Sequence, residues 1–318
     1  MISIKRIFCL SFLICLTACG GGGGGGGSAP TTSTTAPTNT PSSNTPTFPT
    51  STVNLATPSG LACTGNFNNT DAFGNIQFEL SIGNTAWGCL AVDQANGQPV
   101  VSGSKSVRFE IRPGDCDSTV TFISGSNNNA SDCTTDRSRY EIYQIPGNST
   151  SGQLITYSYS IFIPGQAFQP PPKNGESPLT VLTQINWQCH NTPCPSLGSN
   201  GYGALAYLKI DYTGTLSLQT HQGFTWTPNQ VVTVDSNPFN KWIKLTFVIK
   251  STPNSDGYIK IYANDSLLIN ETRATLPNSD STDTLKVGIY DSFLSAASQA
   301  WETQVVYFDN FNASVSNF

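Results

Sequence analysis

Six side chains carry groups from which a reaction on a charged ligand can be built: Arg108, Arg112, Gln184, Asn186, Lys286 and Tyr290. They stand in three short stretches, Lys105-Ser-Val-Arg-Phe-Glu-Ile-Arg112, Thr183-Gln-Ile-Asn-Trp-Gln188 and Thr284-Leu-Lys-Val-Gly-Ile-Tyr290. Each stretch alternates apolar and polar residues, the period of a half-buried strand. Val107, Phe109 and Ile111 oppose Arg108, Glu110 and Arg112. Ile185 and Trp187 oppose Gln184, Asn186 and Gln188, and Leu285, Val287 and Ile289 oppose Lys286, Gly288 and Tyr290. An ordinary solvent face carries Thr, Ser and Lys. Guanidinium, amide and phenol groups in their place suit sugars and carboxylates, and the expectation is that the three strands share one polar face of a curved sheet.

The three stretches resemble, in chain order, the motifs R-x-E-L-R, Q-I-H and K-x-G-x-Y of the jelly-roll polysaccharide lyases, which include alginate lyases, glucuronan lyases and heparin lyase I. Here they read Arg108-Phe-Glu-Ile-Arg112, Gln184-Ile-Asn186 and Lys286-Val-Gly-Ile-Tyr290, with Asn186 where the family has His. Further similarity lies in Tyr157-Ser-Tyr-Ser-Ile-Phe-Ile-Pro164, Trp242-Ile-Lys-Leu-Thr-Phe-Val248 and Val306-Tyr-Phe-Asp-Asn310, so the resemblance spans roughly residues 60 to 318. It implies a concanavalin-like β-jelly-roll sandwich of two antiparallel sheets. It also implies cleavage of a uronic-acid glycan by β-elimination, in which the carboxylate is neutralised, the C5 proton is removed and the C4 oxygen is protonated.

Carried over by position, the resemblance makes Tyr290 the acid and base, Arg108 the carboxylate binder, and Gln184 and Asn186 the neutralising amides. A free tyrosine titrates near pKa 10; Arg108 or Lys286 nearby is expected to lower that of Tyr290. Asn186 can donate to a carboxylate but cannot serve as a base. Arg112, Lys286 and Lys209 are expected to hold the anionic chain, with Glu110 able to pair with the arginines. His190 and His221 are the only histidines, and either is a candidate to supply the missing imidazole. Trp187, Tyr202, Tyr207 and Trp226 are candidate sugar-stacking rings. The parity of Trp187 favours the core, whereas Tyr157 and Tyr159 share a face that either lines the groove or packs as ordinary sheet aromatics.

The rest of the chain frames that domain. Lys5 and Arg6, then an apolar Ile7 to Leu16, then Leu16-Thr-Ala-Cys19 resemble a lipoprotein signal, with Cys19 as the lipidated residue. Gly20 follows, with no Asp, so outer-membrane anchoring is expected. Residues 20–57 are a glycine run and a Ser/Thr/Pro/Asn-rich stretch with no apolar pattern, which reads as a disordered tether. Residues 58–318 then form one all-β domain: β-branched and aromatic runs alternate with Gly and Pro, no long stretch has the helical period, and Asn264-Asp265 reads as a hairpin turn. Of the nine cysteines, Cys9 and Cys15 leave with the signal and Cys19 carries lipid. The remaining Cys63, Cys89, Cys116, Cys133, Cys189 and Cys194 suggest three disulfides in an exported protein. Nearest-neighbour pairing (Cys63–Cys89, Cys116–Cys133, Cys189–Cys194) is expected among the possible connectivities. A zinc site is the alternative, but no C-x-x-C pair exists.

The net charge of −5 argues against a nucleic-acid partner. The expected partners are an anionic polysaccharide and, through Cys19, a membrane; the chain is expected to be a monomer needing no cofactor. Calcium helps some relatives, but no cluster of Asp marks a site. There is no G-x-S-x-G elbow, no phosphate loop and no paired-carboxylate hydrolase strand. Two rival readings remain. One is a non-catalytic carbohydrate-binding lipoprotein on the same scaffold, which Asn186 keeps open. The other is a structural or adhesive display module, which has no reason to carry Arg108, Gln184, Lys286 and Tyr290 together.

Overall fold

The computed structural model describes residues 61–62, 76–80, 87–113, 115, 132–144, 150–165, 168–173, 178–189 and 202–318. Outside these lie the signal segment with Cys19, the tether, and Cys63, Cys116, His190 and Cys194; the side chains of Cys133 and Tyr202 are also not described.

Among the described residues the chain forms β1 (Leu61–Ala62), β2 (Ile76–Leu80), β3 (Cys89–Asp93), β4 (Lys105–Ile111), β5 (Arg137–Gln144), β6 (Gln153–Phe162), β7 (Leu179–Cys189) and β8 (Tyr202–Ile210). It continues through β9 (Leu216–His221), β10 (Pro228–Asp235), β11 (Trp242–Ser251), β12 (Tyr258–Ala263), β13 (Ser266–Thr272), β14 (Ser281–Ser292) and β15 (Gln304–Asn317). Two sheets result, eight strands in the order β1-β3-β4-β15-β6-β11-β12-β13 and seven in the order β10-β9-β8-β7-β14-β5-β2. Every strand pair is antiparallel, so this is the expected two-sheet β-sandwich.

The alternation predicted from sequence sorts the side chains. Val107, Phe109 and Ile111 from the eight-stranded sheet meet Ile185, Trp187, Leu285, Val287 and Ile289 from the seven-stranded one in a single apolar core. Trp187 is buried there, as its parity predicted, and it packs so closely against Gly203 of β8 that a Cβ on that glycine would lie 2.3 Å from the indole. Of the two readings for Tyr157 and Tyr159, packing holds and groove lining does not: both are fully buried in the core, with the Tyr159 ring stacked near Phe247. Asn264 and Asp265, both with positive φ, form the tight turn between β12 and β13, matching the hairpin expected there.

Polar links tie the two sheets together across this core. Tyr159 on β6 and Thr183 on β7 share a 2.6 Å hydrogen bond. Ser251 on β11 donates to Asp283 on β14. Asp291 on β14 accepts from Thr180 at 2.6 Å and from Gln304 of β15 at 3.4 Å. Glu271 on β13 accepts from Thr220 on β9 and, at 2.9 Å, from Asn229 on β10. Buried polar groups cost stability unless they are bonded in this way. Cys89 and Cys189 are disulfide-bonded, whereas their expected partners Cys63 and Cys194 lie outside the described residues.

The first functional stretch departs from expectation. β4 lies in the eight-stranded sheet and β7 and β14 in the seven-stranded one, so the three stretches do not share a face.

Burial pushes the Asp283 and Asp291 carboxyl groups up to about 7. Unfolded, both lose their proton near 3.8. The folded state therefore holds the extra protons between about pH 4 and 7, and their contribution to stability falls as pH rises through that window. Asp291→Asn keeps the acceptor oxygen and removes the charge. It is expected to raise the melting temperature by several degrees at pH 8, with the gain shrinking toward pH 4. Thermal melts of both proteins across that range measure it.

Candidate functional site

β7 and β14 are neighbours, with Lys286 in register with Gln184 and Thr284 with Asn186. Their apolar residues enter the core, so Gln184, Asn186, Lys286 and Tyr290 stand on the outer face of the seven-stranded sheet. On the other flank β5 sets Arg139 opposite Tyr290 and Glu141 opposite Gly288. Tyr140 and Ile142 enter the core, which turns Arg139 and Glu141 outward beside Tyr290.

The Arg139 guanidinium lies 4.3 Å from the centre of the Tyr290 ring. It is held by a fork onto Asp132, with Nε at 2.6 Å and Nη2 at 3.0 Å, and its Nη1 lies 3.6 Å from Glu141. Asp132 sits on a short 3-10 turn, Asp132–Thr135, that leads into β5. Glu141 is fully buried and also accepts a 2.7 Å hydrogen bond from the Gln184 amide. Gln184 Oε1 in turn takes a 3.4 Å bond from Asn186, whose own Oδ1 is buried with no partner.

Gly288 makes this arrangement possible. Gly288 is the β14 residue in register with Glu141. A Cβ there would sit 2.1 Å from the Tyr140 carbonyl oxygen, and φ of +148° lies outside the range that residues with side chains favour. β14 is also irregular against β7 between Val287 and Tyr290. The Lys-x-Gly-x-Tyr pattern thus has a structural reason.

Burial pushes the Tyr290 phenol up, and the Arg139 and Arg137 guanidinium groups pull it partly back. The expected lowering by Arg108 or Lys286 is not found; the cations that act on Tyr290 come from β5. Two strands away, Tyr207 is in register with Gln184, and it packs with Val181, Ala204 and Tyr290 on the same face. Lys209, on the same face, donates to Gln219 Oε1 at 2.6 Å. That turns the Gln219 amide nitrogen to His221 Nε2 at 3.0 Å, so Nε2 accepts and the ring proton sits on Nδ1. Burial, with Arg273 and Lys209 adding to it, holds His221 down at about 4, and the ring is neutral at neutral pH. At 1 % exposure beneath Tyr207 and Trp226, His221 is shielded from a ligand.

Arg108 and Arg112 do not belong to this site. Their parity points them out of the eight-stranded sheet, on the far side of the sandwich. Arg108 is 5 % exposed and pairs with Glu110, near the Tyr307 ring. Arg112 pairs with the same Glu110 and lies 4.1 Å from the Trp87 ring centre. The arginines that stand by Tyr290 are Arg137 and Arg139. A signal for them was present, because Arg139-Tyr-Glu-Ile repeats the Arg108-Phe-Glu-Ile pattern, and both strands satisfy the same alternation. Gln219 offered no signal. Of the other expected residues, Lys209, Gln184, Asn186, Lys286 and Tyr290 share the outer face, while His190 and the Tyr202 side chain lie outside the described residues. Among the described residues no group of three or more His, Cys, Asp or Glu is placed to hold a metal ion.

A family model described as "Polysaccharide lyase" matches residues 66–312. The chain belongs to the polysaccharide lyase family. No curated protein matches this lyase. Among solved structures it is similar to an endo-β-1,4-glucuronan lyase from the fungus Trichoderma reesei, with 16 % identity, TM-score 0.47, and 75 % of this chain and 94 % of that one covered. It is also similar to a marine alginate lyase from Aplysia kurodai, with 14 % identity, TM-score 0.45, and coverage of 76 % and 98 %. An alginate lyase of polysaccharide lyase family 7 gives 14 % identity, TM-score 0.45, and coverage of 76 % and 94 %.

Gly288→Ala is expected to destabilise this lyase by about 2–4 kcal/mol, since both the close approach and the φ angle oppose a methyl group. Chemical denaturation beside Gly97→Ala checks it, because Gly97 also has a positive φ but a Cβ there meets nothing within 4 Å, so that variant should lose less.

Proposed function

We propose that this polysaccharide lyase cleaves a uronic-acid polymer by β-elimination and that Tyr290 carries both proton transfers. The observation behind this reading is the Tyr290 phenol set against the Arg139 guanidinium, on the same outer face as the linked Gln184 and Asn186 amides. Arg137, Arg139 and Lys286 make that face attractive to a polyanion. The amide nitrogens of Gln184 and Asn186 each have a second hydrogen, which can be given to the substrate carboxylate so that the C5 proton becomes more acidic.

In the reaction the Tyr290 phenolate takes the C5 proton. The electron pair of that C–H bond becomes the C4=C5 double bond, the C4–O bond breaks, and the phenol returns its proton to the departing oxygen. No second base is needed, which suits Asn186 and the shielded His221. Because burial raises the Tyr290 phenol, the phenolate is the minor form at neutral pH, and kcat/KM is expected to climb up to tenfold per pH unit on the alkaline side.

A second reading is a protein that binds the glycan without cutting it, favoured by the amide of Asn186 where the resemblance places an imidazole. An ultraviolet assay against polymannuronate, polyguluronate and polyglucuronate separates the two, since the product double bond absorbs and the substrate does not. Absorbance should rise with wild type and fall at least 10³-fold with Tyr290→Phe. A bell-shaped profile centred near pH 6–7 would move the base to an imidazole. Activity appearing only in Asn186→His would establish the binding protein.

We further propose that the lyase works tethered to the outer membrane through lipid on Cys19, as the Leu16-Thr-Ala-Cys19 sequence suggests. Cys19→Ala is then expected to lose incorporation of labelled palmitate and to leave the membrane fraction.

A further inference from the structure

The outer face of the seven-stranded sheet has an aromatic end that the proposed chemistry does not use. Trp226 lies in the turn between β9 and β10, which is closed by Gln222 N–H donating to the Thr227 carbonyl at 2.8 Å and Thr225 N–H donating to the Gln222 carbonyl at 3.0 Å. Phe224 anchors that turn by packing edge-on against the buried Trp187, with ring centres 5.5 Å apart. The turn therefore presents Trp226 in a fixed position. Its indole stacks near Tyr207 at 6.2 Å and 27°, stands edge-on to His221 at 5.9 Å, and is still 52 % exposed. A rigid, half-exposed tryptophan continuous with a polar binding face is unusual for a surface that meets only water.

The chemistry around it is that of a charged sugar. The Lys209 ammonium is half-buried two residues along β8 from Tyr207 and is oriented by Gln219. Asp211, which acts on Lys209, accepts hydrogen bonds from the Thr213 and Thr215 backbone amides. An indole plane offers the apolar face of a pyranose ring its best partner, and the ammonium offers one to the carboxylate of the same ring. Tyr207 and Tyr290 share one packed cluster, and Trp226 stacks near Tyr207, so this aromatic end adjoins the phenol and is placed to meet a sugar next to the one being cut.

We propose that Trp226, backed by Tyr207 and His221 and joined by Lys209, forms a uronate-binding subsite beside the cleaved bond, which grips the neighbouring sugar of the chain. The Lys209–Gln219–His221 chain of hydrogen bonds positions this subsite and does not take part in proton transfer. The inference rests on the uronic-acid reading above for its ligand, but its test does not rest on turnover.

Two measurements on the full chain test it. In kinetics on the polymer that wild type cleaves, Trp226→Ala should raise KM about tenfold with kcat changed less than twofold, and Trp226→Phe should restore most of the loss. Lys209→Ala should raise KM more at low salt than at high salt. In binding, uncut oligouronate should shift the tryptophan fluorescence of Tyr290→Phe, and the shift should vanish in Tyr290→Phe/Trp226→Phe. A KM within twofold of wild type in a folded Trp226→Ala protein overturns the subsite. So does an unchanged fluorescence response in the double variant, or no response in either. A wild type that yields no unsaturated product from any uronan while the fluorescence shift depends on Trp226 overturns the lyase reading and keeps the subsite.

Discussion

The site depends on one buried carboxylate. Glu141 is out of reach of water, and a charge in that position is tolerated only if it is paired and hydrogen-bonded. Arg139 on its own strand and Gln184 from two strands away meet that need. In doing so they bind β5, β14 and β7 into a single polar unit, and the lack of a side chain at Gly288 lets β14 approach the β5 backbone closely. Tyr290 inherits its surroundings from this unit. Its ring lies against the same guanidinium that Asp132 and Glu141 hold in place, so the phenol is positioned by groups that would still be needed if no reaction occurred.

The sandwich beneath relies on a comparable device. Asp283, Asp291 and Glu271 are buried where the two sheets meet, each bonded to a hydroxyl or amide from a strand of the facing sheet. Such links add little net stability, because desolvation offsets much of the bond. They do penalise any register in which a carboxylate would be left without its partner. The apolar core supplies the driving force, and the polar links select the one arrangement in which Tyr290 ends up beside Arg139.

The two ends of the outer face have different characters. Near Tyr290 it is polar, with guanidinium, carboxylate and amide groups in mutual contact. Near Trp226 it is aromatic, with His221 held neutral and shielded by the rings above it. A histidine in this position looks from sequence like a replacement for the imidazole missing at residue 186. In the fold its Nε2 is occupied by Gln219 and its ring supports an indole, so its role is packing and orientation.

Much of this was legible from the chain alone. Strict alternation determined which face of each strand enters the core, because a period of two admits only two choices and the apolar residues decide between them. Hence Trp187 inside, Gln184, Asn186, Lys286 and Tyr290 outside, and the Asn264-Asp265 turn were all readable. Alternation assigns a face but not a sheet, and the chain contains the Arg-x-Glu-Ile pattern twice, at Arg108 and at Arg139. Each copy makes an equally good strand with equally good pairing of its own charges. Only the non-local pairing of β5 with β14 placed Arg139 beside Tyr290 and left Arg108 on the far side. The direction of the Tyr290 shift was likewise beyond the sequence, since it is set by how deeply the folded sheet buries the phenol as well as by which cations lie near.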